Sequence, residues 1–381
     1  MFYYISFLRP PPESSQRVMP ISLTPQIAND LRTELFEAPQ DIFYSWSLVP
    51  SSKAQDTAAT IPFLSKPTKL TSYRSEHAYR EILVPLPTNV RAGQAYRLVL
   101  TSRDQGHPHV INLVGSNCGE RPFPVMSMPI VFRTINGGNS KQDQVERFYR
   151  IATPQHGQCF FKIKEQTSFD LDKKVWDSGI GLSSWITTAI MEETPSNPEQ
   201  FALRRLLLSH DELNIIELGC GTGIVSIVLC AIRSREASGR GRIIASDVAS
   251  AMPLLQDNIS ANRHLYPGQC QPEAAVLDWG EELPRAIKSI NGGFDFIVMA
   301  DVTYNTSSFP ILVRTLSSLL ALNEAGSSKG PTVLLGYKER DPAERTLWSL
   351  ATEAGIAFDR IGERAGAGGA PVEVWLGRRV N

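Results

Sequence analysis

The chain has 381 residues, with 38 basic and 39 acidic side chains, enough for a sizeable core in one large domain with an appendage, or in two domains. Its near-zero net charge leaves no broad electrostatic footprint for nucleic acid or an anionic membrane. The five cysteines, Cys118, Cys159, Cys220, Cys230 and Cys270, are scattered and never form a C-x-x-C pair. That pattern disfavours a disulfide framework and a zinc site and fits a reducing compartment.

The opening MFYYISFLRPPP has too short an apolar run and no basic leader, so neither a signal peptide nor a membrane span is expected, and the cytoplasm or nucleus is the expected location. Residues 1–140 carry many prolines and polar tracts such as SSKAQDTAAT, broken by the β-like runs REILVPLP, AYRLVLTS and MPIVFRTI. They read as a loop-rich, β-containing N-terminal extension. Within it, TPQIANDLRTELFE, with Thr24 as cap and Pro25 in the first turn, predicts one short helix. The HPH of GHPH, with His107 and His109, has no partner at metal-ligand spacing and reads as a surface loop. NGGNSKQDQ reads as a linker, which places a domain boundary near residue 140. After it, VERFYRIA and QCFFKIKEQ flank TPQHGQ as a hairpin leading into the second half.

Residues 141–381 alternate short apolar runs (NIIEL, RIIAS, EAAVL, FDFIVMA, TVLLGY) with amphipathic stretches such as AMPLLQDNISAN and FPILVRTLSSLLAL. This predicts a doubly wound α/β domain, a parallel sheet with helices on both faces. Toward the C-terminus, DPAERTLWSLATEAG reads as a helix capped by Asp341, and IAFDRIG and PVEVWLGRR as a closing β-hairpin. RSREASGRGR, residues 233–242, reads as a solvated connection.

In IIELGCGTGIVSIVLC, Glu217, Gly219, Gly221 and Gly223 fall between the first strand and the following helix, at the carboxyl edge where ligands of doubly wound sheets bind. Glycines there admit positive φ and let the main chain approach a ligand; the plainer reading is an ordinary tight turn. A carboxylate at Glu217 would repel a pyrophosphate, whereas S-adenosylmethionine brings an ammonium and a sulfonium. Asp247, ending the second strand, can accept from both ribose hydroxyls. Asp278 and Trp279 of VLDWG offer an acceptor for an adenine amine beside an apolar ring edge; seen alone they are a turn aspartate and a half-buried tryptophan. Cys220 is read as a small filler, not a nucleophile.

VWDSGIGLSSWI, IIELGCGTGIVSI, SDV, LDWG and FDFIVMADVTYN follow one another as they do in the family 16 methyltransferases. This group of protein lysine methyltransferases is related to the enzyme that modifies valosin-containing protein, and residues 145–381 resemble it. The resemblance implies a seven-stranded, Rossmann-like methyltransferase sheet with a C-terminal hairpin and S-adenosyl-L-methionine as cofactor. It also implies cofactor-binding roles for Trp176, Glu217, Gly219, Gly221, Gly223, Asp247, Asp278, Trp279 and Ala300, with Trp176 closing over the methionyl end and Asp177 supporting its loop. Asp301 and Tyr304 of ADVTY match the family's D-x-x-Y signature and are the catalytic candidates, Asp301 to attract an ammonium and Tyr304 to orient it; no metal is implied. Val302 and Thr303 stand where methyltransferases of DNA bases carry two prolines, which argues against a flipped base. The expected activity is methyl transfer to a lysine of a protein substrate by a monomer that binds neither nucleic acid nor membrane, the extension helping to choose the substrate. A small-molecule N-methyltransferase of the nicotinamide type and a silent cofactor-binding module remain open alternatives.

Overall fold

The computed structural model describes residues 1–380 apart from 51–60, 135–139, 154–156, 169, 194–196, 234–240, 267–270 and 324–329. The tract SSKAQDTAAT, residues 136–139 of the expected linker, 154–156 of the TPQHGQ turn and most of the basic run from residue 233 fall outside the described residues.

The second half is built on seven strands: β1 (Ile215–Leu218), β2 (Ile243–Asp247), β3 (Glu273–Val276), β4 (Phe296–Ala300), β5 (Thr332–Lys338), β6 (Ile356–Arg364) and β7 (Val372–Arg379), in the spatial order β3-β2-β1-β4-β5-β7-β6. The first five are parallel, and β7 runs antiparallel between β5 and β6. The strand order reverses between β1 and β4, so a crevice opens beyond their carboxyl ends.

Alternation along each strand explains the layers. Ile215, Ala245, Phe296, Val298 and Leu334 join one apolar cluster with helices α1 (Asp177–Met191), α3 (Ile224–Arg233) and α4 (Met252–Ala261); α2 (Pro198–Leu207) packs there too. Ile216, Leu218, Ile297, Met299, Val333 and Leu335 face the other way, onto α5 (Phe309–Leu320) and α6 (Thr346–Glu353). Both faces of the central strands are therefore covered, which is why they read as unbroken apolar runs. Asp341 caps the turn before α6 by accepting from the Ala343 N–H at 2.8 Å.

The first half differs from its expected loop-rich texture. Among the described residues eleven strands precede residue 140, several only three or four residues long, too short to show a readable period of two. The expected hairpin forms, Gln144–Thr153 against Gly157–Gln166, but both strands belong to a nine-stranded sheet with Ala95–Thr101 and Val125–Ser127. One sheet thus crosses position 140, and Phe2, Tyr4, Phe123, Tyr149 and Phe161 share an apolar cluster with Ile180, Trp185 and Ile186 of α1.

The helix expected over residues 24–37 is absent. Pro25–Ala28 is a strand paired antiparallel with Tyr4–Phe7. The Asn29 side chain then accepts from the Thr33 and Glu34 N–H groups while Arg32 takes a left-handed φ of 59°. Burial of Ile27 in the pairing outweighs local helix propensity. His109 also departs from expectation: its ring is buried against Phe148 instead of lying in a surface loop, and burial pushes its pKa down to about 4.

The edge of Gly157–Gln166 is closed by side chains of α4 and of Asn262, the residue that caps its end. Asn258 accepts from the Lys164 N–H (2.8 Å) and donates to the Lys164 carbonyl (3.1 Å). One helical turn on, Asn262 does the same at Lys162 (3.0 and 2.8 Å). The two asparagines, at i and i+4, stand in line and replace a neighbouring strand.

Candidate functional site

A cavity of about 450 Å³ opens at the carboxyl ends of β1, β2 and β4 and is lined by Trp176, Glu217, Gly219, Gly221, Asp247, Asp278, Trp279, Ala300, Asp301 and Tyr304. All the singled-out residues except Gly223 meet there, and the size suits a small-molecule cofactor. Gly223 is turned to packing: a Cβ on it would stand 2.6 Å from Leu255 of α4, and its φ is 81°.

The loop after β1 runs through three left-handed glycines, with φ of 65° at Gly219 and 51° at Gly221. Asp247 braces it, one carboxylate oxygen accepting from the Gly221 N–H and the other from the Val248 N–H, both at 2.7 Å. Burial raises the Asp247 pKa, with these two hydrogen bonds opposing the shift. Glu217 is fully enclosed, and one of its oxygens accepts from the Ser226 N–H (2.8 Å) and hydroxyl (2.5 Å) at the start of α3. Burial pushes the Glu217 carboxyl up to about 8, against the pull of Ser226. Cys220 is buried and its thiol is pushed well above the usual range, as befits a packing residue. Asp278 closes its turn by accepting from the Gly280 N–H at 2.8 Å, with Trp279 half-buried beside it.

The segment before α1 lies across the glycine loop: the Asp172 carbonyl is 3.5 Å from where a Gly221 Cβ would stand. The Trp176 indole N–H donates to the Leu171 carbonyl at 2.7 Å, and the Lys174 and Arg340 cations lie 5.8 and 5.7 Å from its ring centre. Asp177 is buried and engaged from the first half of the chain, accepting from the Phe2 N–H (2.9 Å) and the Tyr4 hydroxyl (2.8 Å). Burial and the nearby Asp30 push its carboxyl up to about 7.

Asp301 follows β4 in a left-handed conformation, φ 61°. Its carboxylate is already engaged: Arg340 grips both oxygens, with Nη2 at 2.8 Å from one and Nη1 on the other. The same Nη2 donates to Asp30 at 2.7 Å, and Asp30 also accepts from the Asp177 N–H at 3.2 Å. Asp301 is thus one limb of an Asp30–Arg340–Asp301 cluster, so an ammonium attracted to it would share the carboxylate with Arg340. Tyr304 is half-exposed at the rim, and burial of its hydroxyl with the charges of Asp247, Asp172 and Asp301 raises its pKa.

Arg340, Asp30, Asp172 and Lys174 were not singled out in the sequence. Arg340 carried a readable signal, a cation just past β5 at the carboxyl edge in GYKERD. Asp30 carried none, since nothing local ties AND in the extension to a strand end 300 residues away.

The family model described as Lysine methyltransferase matches residues 156–354. UPF0665 family protein C23C4.06c of Schizosaccharomyces pombe is 27% identical over 227 residues, 59% of this chain and 56% of the relative. Protein-lysine N-methyltransferase EFM6 of Saccharomyces cerevisiae is 26% identical over 186 residues, 46% and 67% of the two chains. Protein-lysine methyltransferase METTL21E of Mus musculus is 35% identical over 108 residues, 28% and 40% of the two chains. The chain thus spans about half the length of the curated relatives it matches.

Proposed function

This chain belongs to the lysine methyltransferase family, and from that membership we propose that it transfers a methyl group from S-adenosylmethionine to a lysine side-chain amine of a protein. The observation that carries the reading is the convergence of Glu217, Gly219, Gly221, Asp247, Asp278, Asp301 and Tyr304 on one cavity at the switch point of the sheet.

The donor set fits the cofactor. Asp247, bonded once at each oxygen, keeps lone pairs for two ribose hydroxyls. Asp278 and Trp279 would hold the adenine, Ala300 and the bare backbone at Gly219 and Gly221 would leave room for the nucleoside, and Trp176 and Glu217 would serve the methionyl end. Bound there, the cofactor supplies a methyl carbon activated by a sulfonium, and the nitrogen–carbon bond forms as the carbon–sulfur bond breaks, its electron pair staying with sulfur. The protein's task is to position and desolvate. It must also take the acceptor as a neutral amine: a lysine pKa of about 10.4 leaves about one molecule in a thousand neutral near pH 7.4, a handicap of about 4 kcal/mol. Tyr304 offers the amine a ring face and a hydroxyl at the rim.

In this reading residues 141–381 form a seven-stranded methyltransferase unit with its C-terminal hairpin, and residues 1–140 help select the substrate. The near-zero net charge and Val302-Thr303 favour a protein over nucleic acid, met by a monomer in the cytoplasm or nucleus. Labelling a cell extract with radioactive S-adenosylmethionine and the purified chain tests the reading. Counts should appear in a discrete protein band and, after hydrolysis, as methylated lysine. Counts confined to small molecules, or recovered as methylated histidine, overturn it.

A further inference from the structure

The Arg340 guanidinium is shared by two carboxylates, Asp301 from the end of β4 and Asp30 from the extension, and all three side chains are largely buried. Burial works against the charge on Arg340, but Asp301 and Asp30 more than offset it and hold the guanidinium charged more firmly than usual. Such a cluster carries a formal charge of one minus spread over two carboxylates.

That balance matters because Asp301 lines the cavity where, on the functional reading above, the acceptor amine arrives. A bare carboxylate a few ångströms from a lysine holds it as an ammonium and raises its pKa. Each unit of such a rise would cost another tenfold in the neutral fraction. An adjacent guanidinium has the opposite effect.

We propose that Arg340 sets the protonation of the acceptor amine by neutralising Asp301, and that Asp30, from the extension, sets how completely it does so. The proposal rests on the lysine-transfer reading. The ammonium loses its proton to solvent, and the methyl is taken by the nitrogen lone pair so exposed. Arg340 is a positioning residue: it acts through Asp301. The other charged or titratable groups around the cluster are Lys174 and Asp177 at the start of α1, Glu344, which accepts from the Arg340 N–H at 3.1 Å, and Tyr304, Asp172 and Asp247 around the cavity. Lys174, pushed down to about 8 mainly by burial, and Asp177, pushed up to about 7, titrate in the same range. The Asp30 charge raises both, so both fall in Asp30→Asn, and Arg340→Met, which keeps Asp30, carries the readout.

The test uses the full chain, S-adenosylmethionine and a soluble protein extract as acceptor, with methyllysine counted after hydrolysis from about pH 6 to about pH 9.5. Arg340→Met leaves two unneutralised carboxylates, and the half-maximal pH should rise by about one unit. Asp30→Asn keeps an oxygen for the guanidinium but removes one negative charge, and the half-maximal pH should fall. Arg340→Lys should keep a near wild-type midpoint with a lower rate, because it restores the charge without the paired geometry. Melting curves and S-adenosylhomocysteine calorimetry report folding and cofactor binding; if Arg340→Met does not fold, the upward shift expected of Arg340→Gln, which keeps hydrogen-bond donors for Asp301 without the charge, decides instead. Superimposed midpoints with lowered rates, or an upward shift in Asp30→Asn, overturn the proposal and leave lysine transfer standing. A wild-type chain that forms no methyllysine at any pH overturns the functional reading and this inference with it.

Discussion

Asp30 and Arg340 are 310 positions apart in sequence, yet Arg340 donates to Asp30 at 2.7 Å within hydrogen-bond reach of Asp301. With the bonds from Phe2 and Tyr4 to Asp177, this makes the first half of the chain a wall of the cavity's surroundings. An appendage selected only for substrate contact would not need to reach the strand ends.

Residues 141–381 alone are accordingly expected not to fold to the native state. Removing residues 1–140 strips strands from the sheet that holds Gln144–Thr153 and exposes apolar side chains of α1. It also leaves Asp177 and Arg340 short of partners in a buried setting, and breaking a buried pair costs about 3–5 kcal/mol. Circular dichroism and S-adenosylhomocysteine calorimetry on this fragment check it. A cooperative melt with full-chain affinity would establish an independent domain starting near residue 141.

Asp247→Ala and Asp301→Asn should separate binding from turnover. Asp247→Ala loses the brace on Gly221 as well as the ribose acceptor, and cofactor affinity should weaken by about 1–3 kcal/mol. Asp301→Asn should keep affinity within a few fold and lower turnover. Equal losses of affinity in calorimetry would show that Asp301 serves the cofactor.

Glu217 predicts a proton linkage. Its folded pKa, about 8, lies above the usual 4.5, so the folded state binds a proton that the unfolded chain releases between these values. The stability this group contributes is complete below pH 4.5 and is lost as pH rises through about 8. Glu217→Gln should flatten that decline in urea unfolding followed from acid to alkaline pH. A cationic amino group bound nearby favours the carboxylate, so S-adenosylhomocysteine binding near neutrality should release protons, seen as a buffer-dependent heat that Glu217→Gln abolishes. A buffer-independent heat in the wild type would place the ligand's ammonium elsewhere.

Gly219 and Gly221 should differ as sites for alanine. Both need a left-handed residue, which costs a side chain about 1–2 kcal/mol. A Cβ at Gly219 would also meet Val302 at 2.9 Å and Trp279 at 3.2 Å, whereas at Gly221 the nearest atom is the Asp172 carbonyl oxygen at 3.5 Å. Gly219→Ala should lower the melting temperature and the S-adenosylhomocysteine affinity more than Gly221→Ala. Equal effects would mean that the wall formed by Val302 and Trp279 gives way.

The parallel strands could be read from the sequence because burial on both faces writes them as apolar runs, and their ends then located Glu217, Asp247 and Asp301. The extension resisted the same reading. Its three- and four-residue strands, such as Ser14–Gln16 and Ile82–Val84, gain order from distant partners, and Pro25, a plausible helix starter, sits instead in a strand. What Asp301 does was hidden for a related reason: a carboxylate's local sequence shows its place on the strand but not the guanidinium that folds back onto it from beyond β5.

The paired asparagines of α4 and its cap have a consequence for solubility. An open strand edge is a template on which another chain can polymerise. Gly157–Gln166, ten residues long, would offer such a template were it bare. By capping it at Lys162 and Lys164 with side-chain amides, α4 and its cap leave an intruding strand little to hydrogen-bond there, and the Asn258 amide also reaches the Thr222 carbonyl at 3.1 Å in the glycine loop. The guard against self-association and a brace on the glycine loop are thus parts of one helix, so a mutation that frees the edge for aggregation should also disturb the loop beside it.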